Sequence, residues 1–126
     1  MRQARESEVV RLQTDLRAFA SKRDWDGFHT PKNLAMALAG ECGELLAELQ
    51  WLTPEEAASV MDSPQAAGRL RDEIADVAIY LLRLCDVLGV DLVAEVDHKV
   101  ERNELRYPAT RTRGRARKYN DLPPEA

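Results

Sequence analysis

The sequence predicts an all-α fold, an antiparallel helical bundle completed by oligomerisation, and three observations carry that reading. Apolar residues recur at three- and four-residue spacing in each long segment, no segment alternates apolar and polar residues as a half-buried strand would, and helix caps punctuate the chain. At 126 residues the chain is long enough for one core and small enough to leave much of it open without a partner copy. The expected organisation is a helical domain over 1–108 and a basic, partly flexible tail over 109–126.

The first helix is expected over about residues 5–22, where Val9, Leu12, Leu16 and Phe19 form one stripe, and Asp24-Trp25-Asp26-Gly27 breaks it. Thr30-Pro31 reads as an N-cap followed by proline at the first helical position, opening a second helix to about Gln50. Thr53 and Glu56 have the spacing of a capping box and start a short helix, and Ser63-Pro64 repeats the cap-plus-proline signal. The longest helix follows, with Leu70, Ile74, Val77, Leu81, Leu84 and Leu88 as its stripe and Gly89 as its stop. Asp91 caps the last helix, which carries Leu92, Val96 and Val100 and ends at Tyr107-Pro108. The tail from Ala109, holding Arg111, Arg113, Arg115, Arg117 and Lys118, is expected to be extended or ordered only on contact.

The bulk numbers exclude several classes. A chain 44% hydrophobic and 32% charged is too apolar for disorder and too charged for a membrane protein. A net charge of -4 argues against a dedicated nucleic-acid binder. The two cysteines, Cys42 and Cys85, form no ligand or disulfide framework and are expected to be buried small hydrophobes. A charged N-terminus without a signal-peptide pattern, and no apolar run near the ~18 residues of a membrane span, predict a cytoplasmic location.

Chemistry enters where polar residues interrupt the helical pattern. At about 100° per residue, Leu34, Leu38, Leu45 and Leu49 fall within an arc of roughly 60°, and Glu41 lies beside that arc, with Glu44 and Glu48 further along its flank. The longest helix sets Glu73, Asp76 and Tyr80 along one flank of its own stripe. Each helix thus brings an i, i+3 acid pair, and four converging carboxylates repel unless a cation lies among them. All-oxygen donors suit Mg²⁺, Mn²⁺ or Ca²⁺ and disfavour zinc. The ordinary alternative is that these acids are boundary groups reaching to solvent or to arginines such as Arg69 and Arg83. Glu95 and His98 form a single E-x-x-H unit without the second copy that a di-iron bundle needs, so His98 reads as a surface residue.

Trp25 and Trp51 abut opposite ends of the second helix. Each can cover core, or the two can stack on a planar base, with His29 as a hydrogen-bonding neighbour. In the last helix Lys99 and Asn103 fall close to the apolar stripe, where Lys99 can snorkel or meet a phosphate.

The strings Trp25-Asp26-Gly27-Phe28-His29, Gly40-Glu41-Cys42-Gly43-Glu44-Leu45, Gln50-Trp51 and Asp72-Glu73-Ile74-Ala75-Asp76-Val77, with Tyr80, Asn103 and Tyr107-Pro108, resemble the all-α MazG-like nucleotide pyrophosphohydrolases, nearest their dCTP pyrophosphatase branch. The resemblance runs from about Leu12 to Tyr119. It implies that Glu41, Glu44, Glu73 and Asp76 hold magnesium, for which manganese can substitute, in a site that splits a nucleoside triphosphate into monophosphate and pyrophosphate. It implies that Trp25, His29, Trp51 and Tyr80 line the nucleotide pocket, that Asn103 and Lys99 meet sugar or phosphate, and that Lys118 and Tyr119 close over a phosphate, from the same or a neighbouring subunit. It also implies a dimer or dimer of dimers, and a homotetramer is expected. Animal members of the branch carry a substrate-contacting histidine where this sequence has Leu16, which leaves the preferred base open.

Of the acids, Glu41 and Glu44 are the candidates for catalysis, Glu44 as general base because it lies furthest from the apolar arc. The rival readings are a broad-specificity pyrophosphohydrolase, an enzyme acting on phosphoribosyl-ATP, and a non-catalytic helical oligomer that binds a partner through its basic tail.

Overall fold

The computed structural model describes residues 2–124 and divides into two compact units, one ending at Val90 and the other beginning at Asp91. No strand occurs among the described residues. The last two positions of the expected tail, 125 and 126, lie outside them.

The first unit holds α1 (Arg2–Ser21), α2 (Pro31–Ala47), the short α3 (Pro54–Ala58), a 3-10 turn (Val60–Asp62) and α4 (Pro64–Leu88). Its starts are those that local chemistry dictates. Thr30 Oγ1 accepts from the Asn33 amide at 3.2 Å with Pro31 in the first turn, and Ser63 Oγ accepts from Ala66 at 3.4 Å ahead of Pro64. At α3 the capping box is complete: Thr53 Oγ1 accepts from the Glu56 amide and Glu56 Oε1 accepts from the Thr53 amide. The backbone hydrogen bond from Thr53 is the main reason that the Glu56 carboxyl sits below its ordinary pKa. α4 ends in a Schellman turn: Gly89 takes φ 68°, its amide donates to Asp86 and the Val90 amide donates to Cys85.

α2 stops three residues before the expected Gln50. Its last turn tightens, with Glu48 and Leu49 donating to the carbonyls three residues back, and the chain turns towards the cap at Thr53.

α2 lies along α4, and α1 also rests on α4. The core between them is thin: Ala20, Leu34, Ala67, Leu70 and Cys85 are buried. One expectation fails here. Cys42 is exposed, falling at the edge of the buried face of α2, about 80° round the helix from buried Leu34, and only Cys85 is the buried small hydrophobe. The stripe of α4 is not covered along its length, since Leu70 is buried whereas Ile74 and Leu88 are each more than half exposed. Met36 and Leu46 on α2 are likewise open. Apolar surface of this extent needs a further partner to leave water.

The second unit holds α5 (Leu92–Arg106), α6 (Ala109–Thr112) and a 3-10 turn (Tyr119–Asp121). Asp91 caps α5 by accepting from the Ala94 amide at 3.0 Å. The tail makes contacts of its own. Leu122 is buried, and Arg111 donates to the carbonyls of Pro123 at 2.8 Å and Leu122 at 3.1 Å, so one arginine satisfies backbone groups that an extended segment would leave to water.

Candidate active site

Packing of α2 on α4 brings three of the four flanking acids together. Carboxylate oxygens of Glu41, Glu73 and Asp76 all lie within 4.8 Å of one another, and the three residues are half-buried. None of them forms an ion pair among the described residues, and Glu73 Oε2 is sealed from solvent without a hydrogen-bond partner. Desolvation, followed by the charges of Glu41, Asp76, Glu44 and Glu48, raises the Glu73 pKa above its ordinary value. Glu44 is exposed and stands outside the cluster, one turn along α2, although its charge still bears on Glu73. Glu48 is engaged elsewhere, accepting from Arg69 at 3.1 Å.

A divalent cation fits this arrangement. The donors are all hard oxygens, and oxygens on opposite sides of Mg²⁺ stand about 4 Å apart, close to the span of the cluster. An orphaned carboxylate oxygen aimed among like charges is the group that such an ion would satisfy.

Asp76 and Tyr80 are four residues apart on α4, so both side chains project from one face, about 6 Å apart along the axis. Tyr80 lines a cavity of about 310 Å³ together with Leu16, Phe19, Trp25, His29, Ile79 and Arg83. α1 supplies Leu16 and Phe19, the α1–α2 connection supplies Trp25 and His29, and α4 supplies the rest. The aromatic rings brace each other: Trp25 meets Phe19 edge-on at 5.8 Å between centroids and lies 6.3 Å from the His29 ring. A mostly apolar cavity of this volume with a few polar groups is the usual form of a small-molecule pocket.

Trp25, His29 and Tyr80 therefore meet at one cavity. Trp51 does not line it and is 86% exposed. Lys99 is exposed and Asn103 half-buried on α5. Tyr119 packs edge-on against Tyr107 at 6.1 Å and under the Arg106 guanidinium at 5.1 Å, and Lys118 beside it is exposed. These four belong to the second unit.

Sequence reasoning missed Arg83, taking it as a surface partner for helix acids. It is 7% exposed and donates to His29 Nδ1 at 3.0 Å, Asp86 at 3.1 Å and Asp26 at 3.3 Å. The signal was available: Arg83 falls three residues after Tyr80 and seven after Asp76, on the same face of α4.

The sequence pattern of the MazG-like family matches residues 38–122, which include the cluster and all of the cavity's α4 wall. The chain belongs to the MazG-like family. Among relatives of this MazG-like chain, dCTP pyrophosphatase 1 of Bos taurus is 45% identical over 92% of the chain, and its Homo sapiens counterpart is also 45% identical. The chain spans about two thirds of their length, 67% and 66% respectively. A solved pyrophosphatase from Archaeoglobus fulgidus has the same fold, with a TM-score of 0.75 and 41% identity, covering 80% of this chain and 93% of that one. No helix among the described residues of this MazG-like protein is long and apolar enough to cross a membrane.

Proposed function

We propose that this MazG-like chain is a Mg²⁺-dependent nucleoside triphosphate pyrophosphohydrolase, cleaving between the α and β phosphates to give a nucleoside monophosphate and pyrophosphate, with dCTP or a modified dCTP as substrate. One observation carries the reading: an unpaired triad of carboxylates stands one helical turn from an aromatic cavity. That is a place for a metal-bound triphosphate beside a place for a base. The named activities of the relatives support the same reaction.

Magnesium, or manganese in its stead, supplies charge neutralisation for the phosphates and makes the attacking water more acidic. Glu41, Glu73 and Asp76 would hold the ion, with Glu44 as a fourth ligand less fully engaged with it. Glu44 is also the group placed to take the proton of the attacking water, because it is exposed and outside the triad. Trp25 and Tyr80 offer ring faces to the base, and His29 offers a hydrogen bond. Trp51, Asn103 and Lys99 are assigned to further contacts with base, sugar and phosphate, and Lys118 and Tyr119 to a phosphate, in the same or a neighbouring copy. The open apolar surface of Met36, Leu46, Ile74 and Leu88 supports a homotetramer, and a substrate drawn from the nucleotide pool supports a cytoplasmic location and a house-cleaning role.

One observation favours a second reading, a broad-specificity pyrophosphohydrolase. Leu16 lines the cavity, and an apolar side chain there makes no hydrogen bond that would discriminate between bases. A panel of ribo-, deoxyribo- and modified cytosine triphosphates with Mg²⁺, scored for pyrophosphate against orthophosphate, separates the two. Preference for cytosine substrates supports the first; equal kcat/KM across bases supports the second; and orthophosphate release overturns both.

A further inference from the structure

Arg83 is a guanidinium buried at 7% exposure in the wall of the cavity, and nothing in the proposed hydrolysis so far uses it. Burying a cation is costly unless it is paired, and here two carboxylates pair it. Asp26 accepts from Nη2 at 3.3 Å and Asp86 accepts from Nη1 at 3.1 Å. Asp86 is itself clamped by Arg17, whose Nη2 and Nε donate to it at 2.6 Å and 3.0 Å, while the Ser21 hydroxyl donates to Asp26 at 2.9 Å. Two cations and two anions balance, so the guanidinium is fixed in place and its third donor, Nε–H, is directed at His29.

An arginine Nε carries a proton and can only donate, so the 3.0 Å contact makes His29 Nδ1 an acceptor. A neutral imidazole with an acceptor at Nδ1 has its proton on Nε2. His29 Nε2 has no hydrogen-bond partner among the described residues, and the ring lines the cavity. Protonating Nδ1 would set two N–H groups against each other beside a fixed cation. Consistent with that, burial and then Arg83 lower the His29 pKa, with Asp26 opposing.

We infer that Arg83 is a positioning residue that locks His29 in its neutral Nε2–H form, so that the cavity presents a hydrogen-bond donor to a carbonyl oxygen or imino nitrogen on the edge of the nucleobase. The inference rests on the proposed nucleotide site for its second half only. The tautomer is a property of the free protein. A fixed donor distinguishes base edges that present an acceptor from those that present an amino group, because a mismatched pair leaves a buried donor unsatisfied. Arg83 then acts on the base without touching it.

The test has two arms. In nitrogen-labelled protein free of metal and nucleotide, the ring nitrogens of His29 are read by long-range proton–nitrogen correlation near neutral pH. The exposed His98, the only other histidine, serves as the internal reference. The wild type should show His29 unprotonated at Nδ1 and protonated at Nε2. Arg83→Met should show both tautomers exchanging, and Arg83→Lys, which keeps a charged donor, should restore much of the bias. In steady-state hydrolysis of dCTP, Arg83→Met should raise KM about tenfold, the weight of roughly one hydrogen bond, with a far smaller fall in kcat, and Arg83→Lys should recover most of it. A wild-type His29 that is charged or protonated at Nδ1 overturns the proposal, whether or not the variants fold. A changed tautomer with unchanged KM overturns the role towards the base. If the wild type turns over no nucleotide, the proposed function fails, while the spectrum still judges Arg83.

Discussion

Asp76 and Tyr80 project from one face of α4 a single turn apart, the first in the carboxylate triad and the second in the wall of the aromatic cavity. Helical periodicity therefore fixes the offset between the proposed phosphate end and base end of the site. Substitutions on either side of that offset should separate catalysis from recognition.

On the acid side, Glu41→Gln and Asp76→Asn should lose hydrolysis by at least about a hundredfold while keeping the wild-type helical circular dichroism. Either variant retaining full Mg²⁺-dependent turnover would remove the triad from the reaction.

Metal removal should show in stability as well as in rate. The Glu73 carboxyl is raised by burial and by its acidic neighbours, so in metal-free protein its ionised form works against folding. That penalty is present above the raised pKa and disappears as pH falls towards the ordinary carboxylate range. Glu73→Gln should therefore melt higher than wild type in EDTA at neutral to alkaline pH, and should lose the stabilisation that Mg²⁺ gives the wild type. Equal melting temperatures with EDTA and a full Mg²⁺ response in the variant would contradict this.

On the cavity side, Trp25→Ala should raise KM about tenfold, the scale of one stacked base, with kcat less affected. Trp51 is so exposed that Trp51→Ala should leave the melting temperature nearly unchanged, and an effect confined to KM would support its assignment to substrate.

The pair of Arg17 and Asp86 predicts a pH signature of opposite sign. Hydrogen bonding from Arg17 is the largest of the effects holding the Asp86 carboxyl below its ordinary pKa. Its contribution is fully present above the unfolded carboxylate pKa and is lost as pH falls through the lowered folded value. Asp86→Asn should cost about 2 kcal/mol at neutral pH, and less in acid. A loss that stays constant with pH would show that the ion pair is not its source.

Much of the fold was legible because its signals are local. Thr30, Thr53, Ser63, Gly89 and Asp91 each mark a helix end by chemistry confined to a few residues, and each marks one here. Glu41, Glu73 and Asp76 were legible through helical phase, which survives from sequence into structure. What the sequence hid depends on contacts between distant segments. Arg83 looks like any helix arginine until Asp26, 57 positions away, accepts from it, and Cys42 looks like core until the face of α2 that meets α4 is known. The contacts of the tail were hidden for the same reason, since Arg111 finds its acceptors 11 and 12 residues on.

The carboxylate triad is proposed to support attack of water on the α-phosphate of a nucleoside triphosphate. The most direct measurement is turnover of dCTP with Mg²⁺ in water enriched in heavy oxygen, with products resolved by mass. The expected products are dCMP and pyrophosphate in equal amounts, with the label in dCMP alone, and no reaction with EDTA or with Glu73→Gln. Label in pyrophosphate, release of orthophosphate, or full activity in Glu73→Gln would contradict it.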